Sequence, residues 1–215
     1  MDTVTSRLHA STPQPLPFAP SLLIRAYLLE REEGNLLIYG SGGLAADIDA
    51  VEGLGGVRRR YLNHHHEASF ACAAAPTFGA PLHVHEDDAE AVGGACAVDA
   101  TFGRRHRVGD DLEVLPIAGH TPGATAFLWE ADGTRFLFTG DSVYLQDGEW
   151  VAAVLSSSDR ERYIESLELM RGLDFDALVP WAASAAGPAV SAQEPAEGRR
   201  RLGAIIDRLR RGADR

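Results

Sequence analysis

Short apolar stretches separated by polar, glycine-ended turns run through the first half of the chain. Residues 21–29 and 35–39 are apolar and flank the polar segment 30–34, a pattern that predicts a β-hairpin. Beyond the hairpin, apolar positions predict strands and helices in alternation, which is typical of an α/β protein. The predicted strands are residues 59–63 and 81–84, and the predicted helices are residues 45–51, residues 68–78 and a segment that opens at Glu86.

The second half of the chain repeats this order of strands followed by helices. A strand is predicted at residues 112–117, then a hairpin that turns at residues 131–133, and a last strand at residues 176–180. Ser158 and Glu161 form a capping box that opens an amphipathic helix, and a second amphipathic helix ends the chain. Two β-rich halves, each followed by helices, predict an internally doubled α/β architecture.

Two segments lack the pattern of a regular element. Residues 1–20 carry four prolines and predict an N-terminal arm, and residues 97–108 are irregular. A chain of 215 residues suits one sizeable domain or at most two small ones, and we expect residues 21–215 to form a single domain.

The charge balance narrows the classes of partner. The net charge is −11, which disfavours nucleic acid because that affinity depends on neutralising phosphates with cations. No apolar run reaches the ~18 residues of a membrane span, and residues 1–20 lack the apolar centre of a signal peptide. We therefore expect a cytoplasmic protein with a small-molecule substrate and without nucleic-acid or membrane partners. A homodimer is left open.

Cys72 and Cys96 are the only cysteines, which are too few for a disulfide framework and lack the C-x-x-C arrangement. We expect both to be small buried apolar residues. A thiol close to the histidines at 64–66 is the alternative for Cys72.

A glycine-rich turn, Gly40-Ser41-Gly42-Gly43, follows the first hairpin. It is similar to part of the dinucleotide-binding fingerprint, which also expects an acidic residue ~20 positions further on. This chain has Arg58, Arg59 and Arg60 in that region. We favour a tight turn in which glycine gives the backbone room, with dinucleotide binding as the competing interpretation.

Metal-type ligands follow the predicted strands at three places. His64 and His66 stand two residues apart at one strand end, so their side chains are expected on the same side. His120 and Asp141 each follow another strand, directly after a glycine. Three imidazoles and a carboxylate suit zinc, whereas two imidazoles and a carboxylate form the triad of non-haem iron.

Three further histidines are candidates for the same site. His65 is expected to point away from its two neighbours. His83 and His85 form a second pair ahead of acidic residues that open a helix. We favour a strand that feeds a capped helix with incidental histidines, and a contribution to the metal site is left open.

The ordered segments are the pair His64-x-His66, then Gly119-His120-Thr121-Pro122-Gly123, then Phe138-Thr139-Gly140-Asp141-Ser142. In this order they resemble the metallo-β-lactamase superfamily, over most of the chain. The resemblance implies a four-layer αββα sandwich of two mixed β-sheets with the metals at one edge. It also implies activities such as hydrolysis of thioesters, lactams, lactones or phosphodiesters, or sulfur oxidation.

The chain departs from the superfamily pattern at three positions. The first motif, H-x-H-x-D-H, has Ala68 in place of the aspartate and Ser69 in place of the third histidine, and no histidine follows position 120. The resemblance implies that these three positions hold the second metal. The positions that match the first metal's ligands and the shared carboxylate are His64, His66, His120 and Asp141.

We therefore expect a metallo-hydrolase that acts on a small ester, thioester or lactone through one divalent metal ion, with zinc ahead of iron. Asp141 and Glu67 are the candidate catalytic carboxylates, Glu67 as a substitute base. One alternative is an iron enzyme similar to persulfide dioxygenases, with His64, His120 and Asp141 as ligands. Another is a non-catalytic member with a degenerate site. The candidate walls of the substrate site are Tyr144, Trp150 and Trp181.

Overall fold

The computed structural model describes residues 1–72 and 78–214, so part of the predicted helix at 68–78 lies outside the described residues. The chain divides into two compact units, residues 1–103 and 104–215. Every helix in the described part of the chain falls short of the length and hydropathy that a membrane span requires.

The first unit is built on a mixed β-sheet. Its strands are β1 (Asp2–Thr3), β2 (Leu8–Ala10), β3 (Gln14–Leu16), β4 (Ala19–Ile24), β5 (Tyr27–Leu29), β6 (Leu36–Ile38), β7 (Arg59–Tyr61), β8 (Leu82–His85) and β9 (Ala100–Phe102). Seven of them form one sheet in the order β1-β2-β5-β6-β7-β8-β9, and β3 pairs with β4 as an antiparallel hairpin. The predicted first hairpin is confirmed as the antiparallel pair β5–β6.

Three short helices pack on this sheet: α1 (Ile48–Gly53), α2 (Ala68–Cys72) and α3 (Ala89–Gly93). Val51 of α1 lies in one apolar cluster with Leu28 and Leu37 of the sheet. A second cluster joins α2 and α3 to β8 through Ala68, Ala71, Leu82, Val84 and Val92. Burial of these side chains holds each helix on the sheet, since helices this short are not stable alone.

The prediction of a structureless arm at residues 1–20 is wrong. These residues form β1, β2, β3 and the start of β4, and Leu8 of β2 is buried and pairs with Leu29. Pro15 lies in β3, an edge strand, where a residue without an N–H is tolerated. The irregular stretch 97–108 likewise contains β9 and the whole of the strand that follows it, residues 106–108.

The second unit has a mixed sheet covered by two longer helices. Its elements are β10 (His106–Val108), β11 (Leu112–Pro116), β12 (Thr125–Ala131), β13 (Thr134–Gly140), β14 (Tyr144–Gln146), β15 (Glu149–Val151), α4 (Arg160–Arg171), β16 (Ala177–Pro180), β17 (Ala182–Ser184), β18 (Ser191–Ala192) and α5 (Pro195–Arg210). Six strands form a sheet in the order β10-β11-β12-β13-β16-β18. β14 pairs with β15 and β17.

The core of the second unit lies between this sheet and the helices. The predicted apolar faces of α4 and α5 are buried there against strand residues, in a cluster that includes Leu115, Leu137, Leu167, Met170, Leu202 and Ile206. α4 starts at Arg160 with Asp159 as its N-cap, one residue later than the predicted capping box. The expected α/β class with mixed β-sheets is therefore confirmed.

Cys72 and Cys96 form a disulfide, so the prediction of two unbonded buried cysteines is wrong. The bond joins the end of α2 to the turn that follows α3. The two residues are 24 positions apart, and two cysteines at such a spacing carry no pairing signal in a single sequence.

Candidate metal centre

The first two candidate ligands lie where the chain leaves β7 and enters α2. His64 is extended (φ −156°, ψ 164°) and buried, and His66 lies in the 3-10 turn His65–Glu67 that follows it. The ring centroids of His64 and His66 are 5.1 Å apart. The two rings are therefore neighbours, although a turn rather than strand alternation brings them together.

His65 is bound by a carboxylate of the same unit. Its main-chain N–H donates to Asp88 Oδ2 at 2.9 Å, and its ring Nδ1 lies 3.1 Å from Asp88 Oδ1. Asp88 is buried and lies just before α3. In the sequence, the run of acidic residues to which it belongs predicts only the start of a helix. Asp88 thus holds the histidine segment, residues 64–66, in place. The sequence shows that residue 88 is acidic but does not predict this contact.

Glu67 is fully buried and accepts hydrogen bonds with both oxygens. Oε2 accepts from the N–H of Gly40 at 2.8 Å, and Oε1 accepts from the N–H of Asn63 at 2.9 Å. Burial raises the pKa of Glu67, while the hydrogen bonds from His64 and the main chain oppose that rise. A carboxylate shielded from water in this way is poorly placed to act as the predicted base.

His83 and His85 have partners of their own within the first unit. The His83 ring stacks on Tyr61 with centroids 4.9 Å apart, and His85 Nδ1 accepts the N–H of Asp87 at 3.2 Å. The favoured interpretation, a strand that leads into a capped helix, agrees with this second contact.

The two altered motif positions offer no metal ligand. Ala68 is buried in the apolar cluster of α2, α3 and β8, and Ser69 is exposed on α2. A methyl group among Leu82 and Val84 cannot replace a carboxylate, so the first unit retains only the two histidines of the motif.

His120 follows β11 in the second unit and is held by its main-chain surroundings. Its Nδ1 lies 2.7 Å from the carbonyl oxygen of Ala153, which can only accept, so Nδ1 carries the proton. The Ser158 hydroxyl donates to the carbonyl of His120 at 3.1 Å, and the Asp159 N–H donates to that of Gly119 at 2.9 Å. The loop before α4 therefore fixes both the position and the tautomer of His120.

Asp141 follows β13 and lies beside His120. Its Oδ2 is 4.0 Å from His120 Nε2, and its side chain is 16% exposed. The Tyr163 hydroxyl donates to the carbonyls of Ser142 at 2.8 Å and Asp141 at 3.3 Å, which fixes the turn. Burial, and then the Asp141 charge, raises the pKa of Tyr163 well above its usual value, so the hydroxyl stays protonated.

The three candidate wall residues are buried. Trp150 stacks on Phe175 at 6.1 Å between ring centroids and donates its indole N–H to Ser191. Tyr144 and Trp181 are also buried within the second unit. Trp150 therefore belongs to the apolar core that also contains Phe175 and Leu202, and the place of the three side chains in a substrate wall stays a prediction.

Comparison with known proteins gives matches in sequence and matches in structure. The sequence model of the metallo-beta-lactamase superfamily matches residues 73–182, a range that contains His120 and Asp141 but begins after the first histidine motif. An uncharacterized protein of Bacillus subtilis (strain 168), YmaE, is 30% identical over 113 residues. That alignment covers 51% of this chain and 41% of the relative, so the chain matches less than half of its relative's length.

Solved structures of low sequence identity share the architecture. A metallo-beta-lactamase from Pontibacter korlensis superposes with a TM-score of 0.72 at 16% identity, over 97% of both chains. An archaeal superfamily protein from Sulfolobus tokodaii gives a TM-score of 0.65 at 16% identity, over 93% of this chain and 86% of that one. These likenesses show the fold, and the sequence model covers just over half of the chain. The chain belongs to the metallo-beta-lactamase superfamily.

Proposed function

We propose that the chain is a metal-dependent hydrolase that works through a single metal ion. The observation that carries this proposal is a group of three histidines that could hold a metal ion, His64, His66 and His120. The superfamily and this group suggest a metal ion, and three imidazoles favour zinc as its identity. Asp141 is proposed as the carboxylate beside this group.

The hydrogen bonds of two of these histidines support a ligand role. Nδ1 of His64 lies 3.0 Å from the carboxylate of Glu67, and Nδ1 of His120 lies 2.7 Å from a carbonyl oxygen. With the proton held on Nδ1, each ring has its lone pair on Nε2, the form in which imidazole binds a metal. Such outer partners are typical of histidines that bind metals.

The proposed chemistry needs one carboxylate that water can reach. The three histidines would hold a zinc ion, and a water bound there would have its pKa lowered to about 7 and would supply a nucleophile at neutral pH. Asp141 is the partly exposed carboxylate beside His120, and we assign it the task of orienting the attacking water and accepting its proton.

The substitutions at Ala68 and Ser69 support one metal rather than two, since neither side chain at these positions can replace the lost ligand. The proposed substrates are small esters, thioesters or lactones. A third imidazole favours zinc over the iron triad, which requires only two.

Turnover of reporter substrates tests this function. Zinc-loaded protein is expected to hydrolyse a thioester or lactone reporter, and His120→Ala is expected to lower that rate at least about 100-fold, because loss of an outer partner alone costs 10–100-fold. The matched control is His106→Ala, which removes a histidine of β10 outside the site. Equal rates in the wild type and the His120 variant would show that turnover does not depend on the three-histidine site, and no turnover by the zinc-loaded protein would favour a non-catalytic protein.

A further inference from the structure

Glu67 divides its hydrogen bonds between two parts of the first unit. Oε1 accepts from the N–H groups of Asn63 at 2.9 Å and His64 at 3.2 Å, and it also lies 3.0 Å from His64 Nδ1. Oε2 accepts from the N–H of Gly40, 27 residues earlier in the chain, at 2.8 Å. Oε1 therefore binds the histidine segment, and Oε2 links that segment to the turn after β6.

The contacts of Oε1 constrain both the ring and the main chain of His64. A carboxylate oxygen can only accept, so His64 Nδ1 is the donor and the lone pair lies on Nε2. Two main-chain N–H groups that donate to the same oxygen hold the backbone from which this ring projects. The ring therefore has little freedom to rotate or to exchange tautomers.

We propose that Glu67 is a positioning residue that presents His64 Nε2 to the metal. This inference rests on the proposed metal site and replaces the sequence-based expectation of a base at Glu67. The carboxylate is fully buried and its four donors all belong to the first unit, so it acts through His64 rather than on a substrate. Its negative charge also makes the imidazole a stronger ligand.

Two substitutions separate the oxygens of Glu67. Glu67→Gln can place its carbonyl at the Oε1 position, which keeps the acceptor for His64 and sets an amide N–H₂ against the N–H of Gly40. Glu67→Ala removes both acceptors. The zinc dissociation constant, measured by competition with a chromophoric chelator, is expected to rise about 10-fold in the glutamine variant and about 100-fold in the alanine variant.

Nitrogen NMR of the metal-free protein measures the tautomer of His64, which would not change if Glu67 had a purely structural role. Long-range ¹H–¹⁵N correlations of the imidazoles are expected to show His64 as the Nδ1–H tautomer in the wild-type and glutamine proteins. In Glu67→Ala, the signal is expected to move towards the Nε2–H tautomer. Asp88→Asn is the matched control, because it alters another buried carboxylate that holds the same segment through His65.

The outcomes keep this inference distinct from the proposed function. A wild-type protein that binds no zinc contradicts the metal site, while the tautomer of His64 still tests the role of Glu67. Unchanged zinc affinity and an unchanged tautomer in both variants would overturn the inference, as would an equal loss of affinity in Asp88→Asn. Glu67→Gln carries the affinity test if the alanine variant does not fold.

Discussion

Replacing Gly119 with alanine is expected to destabilise the protein by about 4 kcal/mol. Gly119 has a φ of +144°, and a Cβ atom built on it would lie 2.4 Å from Cα of Tyr163. The clash is with helix backbone, which cannot rotate away, and the backbone conformation itself is strained for any residue with a Cβ. Urea denaturation followed by circular dichroism measures the loss.

Gly133→Ala is the matched control for this substitution. Gly133, in the β12–β13 turn, also has a positive φ, of +75°, but a Cβ atom built on it would meet no atom of the described residues within 4 Å. Only the conformational cost remains there, about 1 kcal/mol. If both variants lost the same stability, the close approach of α4 would not be the reason for glycine before His120.

Reduction of the Cys72–Cys96 disulfide is expected to lower the free energy of unfolding by about 3 kcal/mol. The bond closes a loop between residues 24 apart, and opening it restores conformational entropy to the unfolded chain. Both cysteines are half-buried, one at the end of α2 and the other in the turn after α3. Unfolding midpoints in urea with and without reductant measure the effect.

The double variant Cys72→Ala, Cys96→Ala controls for other actions of the reductant. Its unfolding midpoint is expected to match that of the reduced protein and to stay constant when reductant is added. A wild-type protein whose thiols titrate as reduced but whose midpoint is unchanged would show that the bond contributes no stability.

The disulfide also bears on the compartment in which the protein works. A stable structural disulfide is more typical of oxidising compartments than of the cytosol. The cytoplasmic localisation, the small-molecule substrate and the homodimer all stay predictions.

Much of the second unit could be predicted because its signals are local. The hairpin β12–β13, the apolar face of α4 and the glycines before His120 and Asp141 all appear within short windows of sequence. Strand ends that meet at one edge of a sheet then account for the pairing of His120 with Asp141. In the first unit, proline content obscured β3, because proline argues against a strand but is tolerated at a sheet edge.

The contacts that shape the site could not be predicted, because they join residues distant in sequence. The bond from Gly40 to Glu67 spans 27 residues, and the bond from His65 to Asp88 spans 23. The carbonyl of Ala153 that fixes His120 is a main-chain group, which no residue type reveals. Residue types therefore identify the candidate ligands, and the tertiary structure assigns the residues that orient them.

The metal content of the purified protein tests the central claim most directly. After loading with zinc and dialysis against metal-free buffer, mass spectrometry of the metal is expected to find about one zinc per chain. His64→Ala is expected to lose that ion, whereas His65→Ala, which removes the neighbour held by Asp88, is expected to keep it. Two zinc ions per wild-type chain, none at all, or full occupancy in His64→Ala would contradict the single three-histidine site.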